Sequence, residues 1–140
     1  HLAGDDALKR VAGSIAGRIR ASDRLYRYGG EELLLLLPET GLDGAEILVE
    51  RIMASVREAA IPHCQSPYGV ITLSCGIVSL PDWSDGPCTW RDVVAMADRE
   101  MYRSKETGRN RASSLRPRTL GDDLMTCLMG TAVEPLLSGA

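Results

Sequence analysis

Arg24-Leu25-Tyr26-Arg27-Tyr28-Gly29-Gly30-Glu31-Glu32-Leu33-Leu34-Leu35-Leu36-Leu37-Pro38 is the stretch on which the fold turns. Five successive leucines leave no polar face, so residues 32 to 38 read as a strand covered on both sides, as in the centre of a layered α/β sheet. Residues 24 to 28 read as a second strand, joined to the first through Gly29-Gly30, a pair that tolerates the positive φ angles of a tight hairpin turn. Glu31 and Glu32 then fall at the hairpin tip, where bare backbone lets a phosphate approach and the two acids can hold a hard cation. Magnesium usually takes one or two carboxylates and completes its octahedron with water and phosphate oxygens. For an isolated string of this kind a solvated acidic turn is the better explanation, so the flanking sequence has to decide.

On the N-terminal side, Leu8, Val11, Ala12, Ile15 and Ile19 recur at helical spacing, predicting an amphipathic helix from 5 to about 20 with Asp5 or Asp6 as its cap. On the other side, Ala45, Leu48, Val49, Ile52 and Val56 predict a helix over about 42–59, ended before Pro62. A loop over 60–69 is followed by alternation from 70 to 80, with Ile71, Leu73, Cys75 and Ile77 on one face and Thr72, Ser74 and Gly76 on the other, so this strand is expected to be half open to solvent or to a site. Val94, Ala97 and Met101 predict a third helix over about 90–107, with Gly108 placed to end it. A short strand is expected near 111–114. Beyond it the periodicity decays, leaving a tail at 115–140 with one short helix over 122–129 and no assigned role. Trp83, Trp90 and Met101 read as packing residues and His63 as a surface loop residue.

The 140 residues suit one domain with its own core. Hydrophobic residues at 44% and charged residues at 25% exclude a disordered tail, and no aliphatic run reaches the roughly 20 residues that span a bilayer. The net charge of −3 supplies no global field for long nucleic acid, so any phosphate partner must be held locally. Cys64, Cys75, Cys88 and Cys127 form no CxxC pair and the only histidines are His1 and His63, which gives no zinc-ligand spacing and favours a reduced, cytoplasmic setting.

Around the hairpin, further strings line up in order. His1-Leu2-Ala3-Gly4-Asp5, Arg20-Ala21-Ser22-Asp23, the GGEE string itself, Thr72-Leu73-Ser74-Cys75-Gly76, and Ala97-Asp98 through Met101-Tyr102 to Lys105-Glu106-Thr107-Gly108-Arg109-Asn110 resemble the motifs of the GGDEF, or diguanylate cyclase, family. The resemblance runs from 1 to about 114. It implies an α+β sandwich with the ferredoxin-like palm of nucleotidyl cyclases, a mixed central sheet flanked by helices, in which two GTP molecules condense to cyclic di-GMP and two pyrophosphates. Such chemistry is mainly positioning and charge neutralisation. By the same resemblance Glu31 is a magnesium or manganese ligand and a base, Glu32 a second acid near the metal or guanine, and Gly29 and Gly30 the shapers of the phosphate loop. Asp5 corresponds to a guanine-binding residue, Lys105 and Arg109 to cations for the departing pyrophosphate, and Arg20 and Asp23 to an inhibitory product site. Arg51 matches a secondary contact to that product from a neighbouring subunit.

Each of these residues also has an ordinary role. Asp5 serves equally well as a helix cap. Lys105 and Arg109 complement a helix dipole, and Arg20 and Asp23 suit a helix end and the turn after it. The functional reading of Arg20 rests on the bidentate fit of a guanidinium to guanine O6 and N7.

Two departures stand out. Leu33 replaces the family's Phe, and the strand and helix of D-x-D-x-F-K-x-x-N type, with a metal-binding Asp and a guanine-binding Asn, is not found. Losing a central strand would expose unpaired apolar edges, so the native protein is expected to begin upstream of His1, carrying a sensory or receiver domain that drives homodimerisation. The function expected is that of a diguanylate cyclase output domain. The alternatives are a silent receptor for cyclic di-GMP and a dimerisation module without ligand.

Overall fold

A computed structural model describes residues 2–81 and 89–115, together with the backbone of 122–131. The chain runs α1 (Leu2–Ala16), β1 (Arg24–Arg27), β2 (Glu32–Pro38), α2 (Leu42–Glu58), β3 (Leu73–Pro81), α3 (Trp90–Glu106), β4 (Arg111–Leu115) and β5 (Asp122–Thr131). One five-stranded sheet, ordered β1-β2-β5-β3-β4, joins the strands, with β3 and β4 parallel and the other neighbours antiparallel. This is the palm-like α+β sandwich that the motifs imply.

The leucine run explains the layering. Leu33, Leu35 and Leu37 face α1 and α2 in a core with Val11, Ile15, Val49 and Ile52, while Leu34 joins Val78, Val94, Ala97 and Met101 under α3. Both faces of β2 are therefore covered, as five unbroken leucines require. The expected half-open face of β3 is overturned: Thr72 and Ser74 are buried like Cys75 and Ile77 on the other face, because α3 lies on the side of Gly76 and Val78. Gly76 makes the contact possible, since a Cβ there would stand 2.0 Å from the Ala97 carbonyl oxygen. The Ser104 hydroxyl, fully buried, donates to the Cys75 carbonyl at 2.8 Å and meets the Ser113 hydroxyl at 2.8 Å, pinning α3 to β3 and β4. At the other end of α3, Thr89 and Asp92 form a capping box, and the Thr89 backbone and hydroxyl bonds hold the Asp92 carboxyl below its ordinary range.

The tail corrects the sequence reading most. Residues 122–131 form a strand, not a short helix, and that strand occupies the middle of the sheet between β2 and β3. Two apolar strand edges facing one slot stabilise ladder hydrogen bonds that a surface helix could not offer. Other corrections are smaller. α1 begins at Leu2 and ends at Ala16, so Asp5 sits within its first turn instead of capping it, and Arg20 lies beyond the helix. Trp90 is 57% exposed at the start of α3, whereas His63 is 2% exposed beneath the loop that follows α2. Met101 packs as expected; Trp83 and Cys88 lie outside the described residues.

Candidate functional site

The hairpin tip, residues 28–31, is a turn in which the Tyr28 and Gly29 amides both donate to the Glu32 carbonyl, at 2.8 and 3.2 Å. Neither Gly29 nor Gly30 uses positive φ, contrary to expectation; among the described glycines only Gly69 and Gly108 do. A Cβ at position 29 would come within 3.2 Å of Glu32 Oε2, the movable end of a side chain, so a residue there would press on the Glu32 carboxylate and not on the backbone. Gly30 has open space around it.

Arg27 organises the inner side of this tip. Its Nε donates to the Gly29 carbonyl at 3.2 Å, and its Nη2 donates to the Gly30 carbonyl at 2.8 Å and reaches Asp5 Oδ1 at 3.5 Å. Sequence reasoning named Asp5 but missed Arg27, whose position opposite Leu33 in the hairpin register was the available signal. Between α1 and the hairpin opens a cavity of about 280 Å³, floored by Leu8, Ala12, Leu25 and Leu33 and rimmed by Asp5 and Arg27. An apolar floor with a polar rim suits a planar base that presents a hydrogen-bonding edge.

Glu32 belongs to the other face. It lines a cavity of about 670 Å³ with Tyr28, Trp90, Arg91, Val94 and Asp98, so the structure separates Glu32 from Asp5 by the thickness of the sheet. Glu31 sits partly buried at the turn between the two faces.

The cations are brought to the same end of the sheet. Glu32 pairs with Gly130, Gly130 with Ser74, and Ser74 with Arg111, a single row across four strands. Three strand spacings of about 4.8 Å place the hairpin carboxylates roughly 14 Å from the start of β4. Arg109 stands two residues before that start and Lys105 in the last turn of α3. Neither side chain makes a hydrogen bond or ion pair among the described residues. Gly108 ends α3 at φ +127°, as its sequence position predicts.

Arg20 and Asp23 do lie together, but unequally presented. The Asp23 side chain is fully buried; its Oδ2 accepts from the Arg20 amide at 2.8 Å, and its Oδ1 lies 3.6 Å from Arg20 Nη2 without a hydrogen-bond partner. Arg20 is exposed, with Nη2 donating to Thr40 Oγ1 at 2.6 Å and to the Pro38 carbonyl at 3.3 Å. Asp23 thus closes the turn before β1, and only the Arg20 fork faces solvent. Arg51 is exposed on α2 and shares none of these bonds.

Among the described residues no three His, Cys, Asp or Glu side chains cluster to hold a metal. The pair at the tip nevertheless fits magnesium in kind: two hard carboxylates beside a turn whose Cβ-free Gly29 leaves room against Glu32. No helix among the described residues is long and apolar enough to cross a membrane.

The profile of the family described as diguanylate cyclase, GGDEF domain, matches residues 1–111. The chain is 40% identical over 112 residues to diguanylate cyclase DgcP of Pseudomonas aeruginosa, covering 79% of this chain and 16% of that protein. It is 36% identical over 113 residues to diguanylate cyclase A of Treponema denticola, covering 81% and 29%, and 35% identical over 111 residues to diguanylate cyclase DgcM of Escherichia coli, covering 79% and 25%. The chain spans less than a third of the length of these relatives. With a palm-like α+β sheet and the family profile covering residues 1–111, the chain belongs to the GGDEF-domain, diguanylate cyclase family.

Proposed function

We propose that this domain is the catalytic output half-site of a diguanylate cyclase, in which two GTP-loaded copies face one another and each 3′-hydroxyl attacks the other nucleotide's α-phosphorus as pyrophosphate leaves. The observation that carries the reading is the row Glu32–Gly130–Ser74–Arg111, which sets the acidic tip and the cationic loop at one end of the sheet, a span that sugar and phosphates can bridge. In this reading the guanine enters the cavity beside Asp5 and Leu8. Glu31, with Glu32 near it, holds magnesium or manganese, which when bound neutralises phosphate charge and lowers the pKa of the attacking hydroxyl. Lys105 and Arg109 take the charge of the departing pyrophosphate, and Gly29 and Gly30 leave the turn open for phosphate. A homodimer, a cytoplasmic setting and a linked sensory or receiver domain complete the proposal for the parent protein. The test is chromatographic detection of cyclic di-GMP from GTP and magnesium in the parent protein; no product there would reject the reading.

The 140-residue chain alone is expected to give no measurable product. The strand paired with β2 places Gly130, not a carboxylate, opposite Glu32. A cation held from one side only is mispositioned, and an error of about 1 Å costs on the order of 100-fold. Robust synthesis by this chain in the same assay would contradict the assignment.

A second reading, a silent cyclic di-GMP receptor, is favoured by the exposed Arg20 fork 3.6 Å from the buried Asp23 Oδ1, which has no hydrogen bond among the described residues. If product binds there, Arg20→Ala weakens cyclic di-GMP binding by about 1–3 kcal/mol, the range for a bidentate guanine contact, and leaves the fold intact. Calorimetry on both proteins checks this, and equal affinities return Arg20 to its bonds with Thr40 and Pro38.

A further inference from the structure

Gly108, Arg109 and Asn110 hold three successive positive φ angles, +127°, +62° and +51°. Only the first is glycine, and side chains seldom adopt this region unless the surroundings enforce it. Gly108 itself is hemmed in, since a Cβ there would lie 2.6 Å from Arg111 Nη2. One brace is the ordinary helix ending, the Arg109 amide donating to the Ser104 carbonyl at 2.9 Å.

Two further braces come from outside the helix. The Tyr68 hydroxyl donates to the Gly108 carbonyl at 2.8 Å, and Arg57 Nη1 donates to Asn110 Oδ1 at 3.0 Å. Tyr68 stands on a hydrogen-bonded loop: the His63 amide donates to the Gly69 carbonyl at 3.1 Å, and the Gly69 amide to the Ser66 carbonyl at 3.0 Å, over a buried His63. Arg57 is fixed in the last turn of α2, with Nη2 3.3 Å from Glu50 Oε1. The loop's own cation, Arg109, and its neighbour Lys105 remain without ion-pair partners among the described residues. A loop held in a disfavoured conformation by groups from two other elements, with its charges uncommitted, is built to receive an anion without rearranging.

We propose that Tyr68 and Arg57 are positioning residues that hold the 108–110 loop so that Lys105 and Arg109 meet the phosphates of a nucleoside triphosphate. The inference rests on the phosphate role of Lys105 and Arg109 given above. Its signature is selective: loosening the loop before β4 weakens the grip on phosphates and leaves the cavity between α1 and the hairpin, at the other edge of the sheet, as it was.

The test is calorimetric titration of the chain with GTP and with guanosine in magnesium buffer. The wild type should bind GTP more tightly than guanosine. Tyr68→Phe removes one hydroxyl and should lower GTP affinity about three- to tenfold, the scale of one hydrogen bond, with guanosine affinity and melting temperature unchanged. Arg57→Met should shift the same ratio in the same direction, and Arg57→Lys should restore part of it. Wild-type GTP binding in both Tyr68→Phe and Arg57→Met, where Arg109→Ala loses it, would overturn the bracing role and leave the phosphate role standing. Equal binding of GTP and guanosine by the wild type, unchanged by Arg109→Ala, would overturn both.

Discussion

Gly76→Ala is expected to destabilise the domain by more than about 3 kcal/mol, enough to leave a domain of ordinary stability partly unfolded. The added Cβ would lie 2.0 Å from the Ala97 carbonyl oxygen, 2.4 Å from the Met101 amide nitrogen and 3.0 Å from the Glu100 carbonyl carbon. All three are backbone atoms of a helix, so no rotamer change relieves the clash. α3 would have to lift from β3, which uncovers Val78 and Leu34 and pulls the Ser104 hydroxyl off the Cys75 carbonyl. Urea denaturation checks the size of the effect. Gly30→Ala, with nothing within 4 Å of its Cβ position and no positive φ, is the matched comparison and should stay within about 0.5 kcal/mol of wild type.

Glu31→Gln in the parent protein is expected to lower cyclic di-GMP synthesis by at least about 100-fold. Groups that merely orient metal ligands cost about 10–100-fold when removed, so a ligand itself should cost no less. The amide keeps the shape of the side chain and its place at the turn but loses the charge that a hard cation requires. Glu31 lies outside the leucine core, so the melting temperature should hold while synthesis falls. Full turnover by the variant, measured chromatographically, would remove Glu31 from the metal site.

Local pattern carried much of this fold. The leucine run of β2 and the three- and four-residue steps of α2 and α3 are properties of adjacent residues, and the structure follows them within a residue or two at most boundaries. β5 was illegible for a complementary reason. Asp122–Thr131 has no strong period, and its strand conformation comes from pairing with Leu33–Pro38 on one side and Leu73–Leu80 on the other, partners tens of residues away. The burial of His63 likewise depends on a loop folding over it, and the exposure of Trp90 on a capping box that starts α3 at the surface.

At the site, motif order nominates Asp5, Glu31, Glu32, Lys105 and Arg109, but does not say how they divide in space. Alternation within β2 puts Glu32 on the side of Leu34, away from Leu33 and the Asp5 cavity, a consequence of strand geometry that the string GGEE alone does not display. Asp23 shows what spacing leaves out: its side chain is buried, with Oδ2 closing a turn on the Arg20 amide, a placement that the distance from Arg20 in sequence does not display.

The most direct test of the hairpin tip as a metal and nucleotide site is a GTP titration of the 140-residue chain with and without magnesium, repeated on Glu31→Gln. Magnesium should tighten GTP binding to the wild type, and Glu31→Gln should abolish that gain while leaving guanosine binding beside Asp5 unchanged. An equal magnesium effect in both proteins would contradict the account.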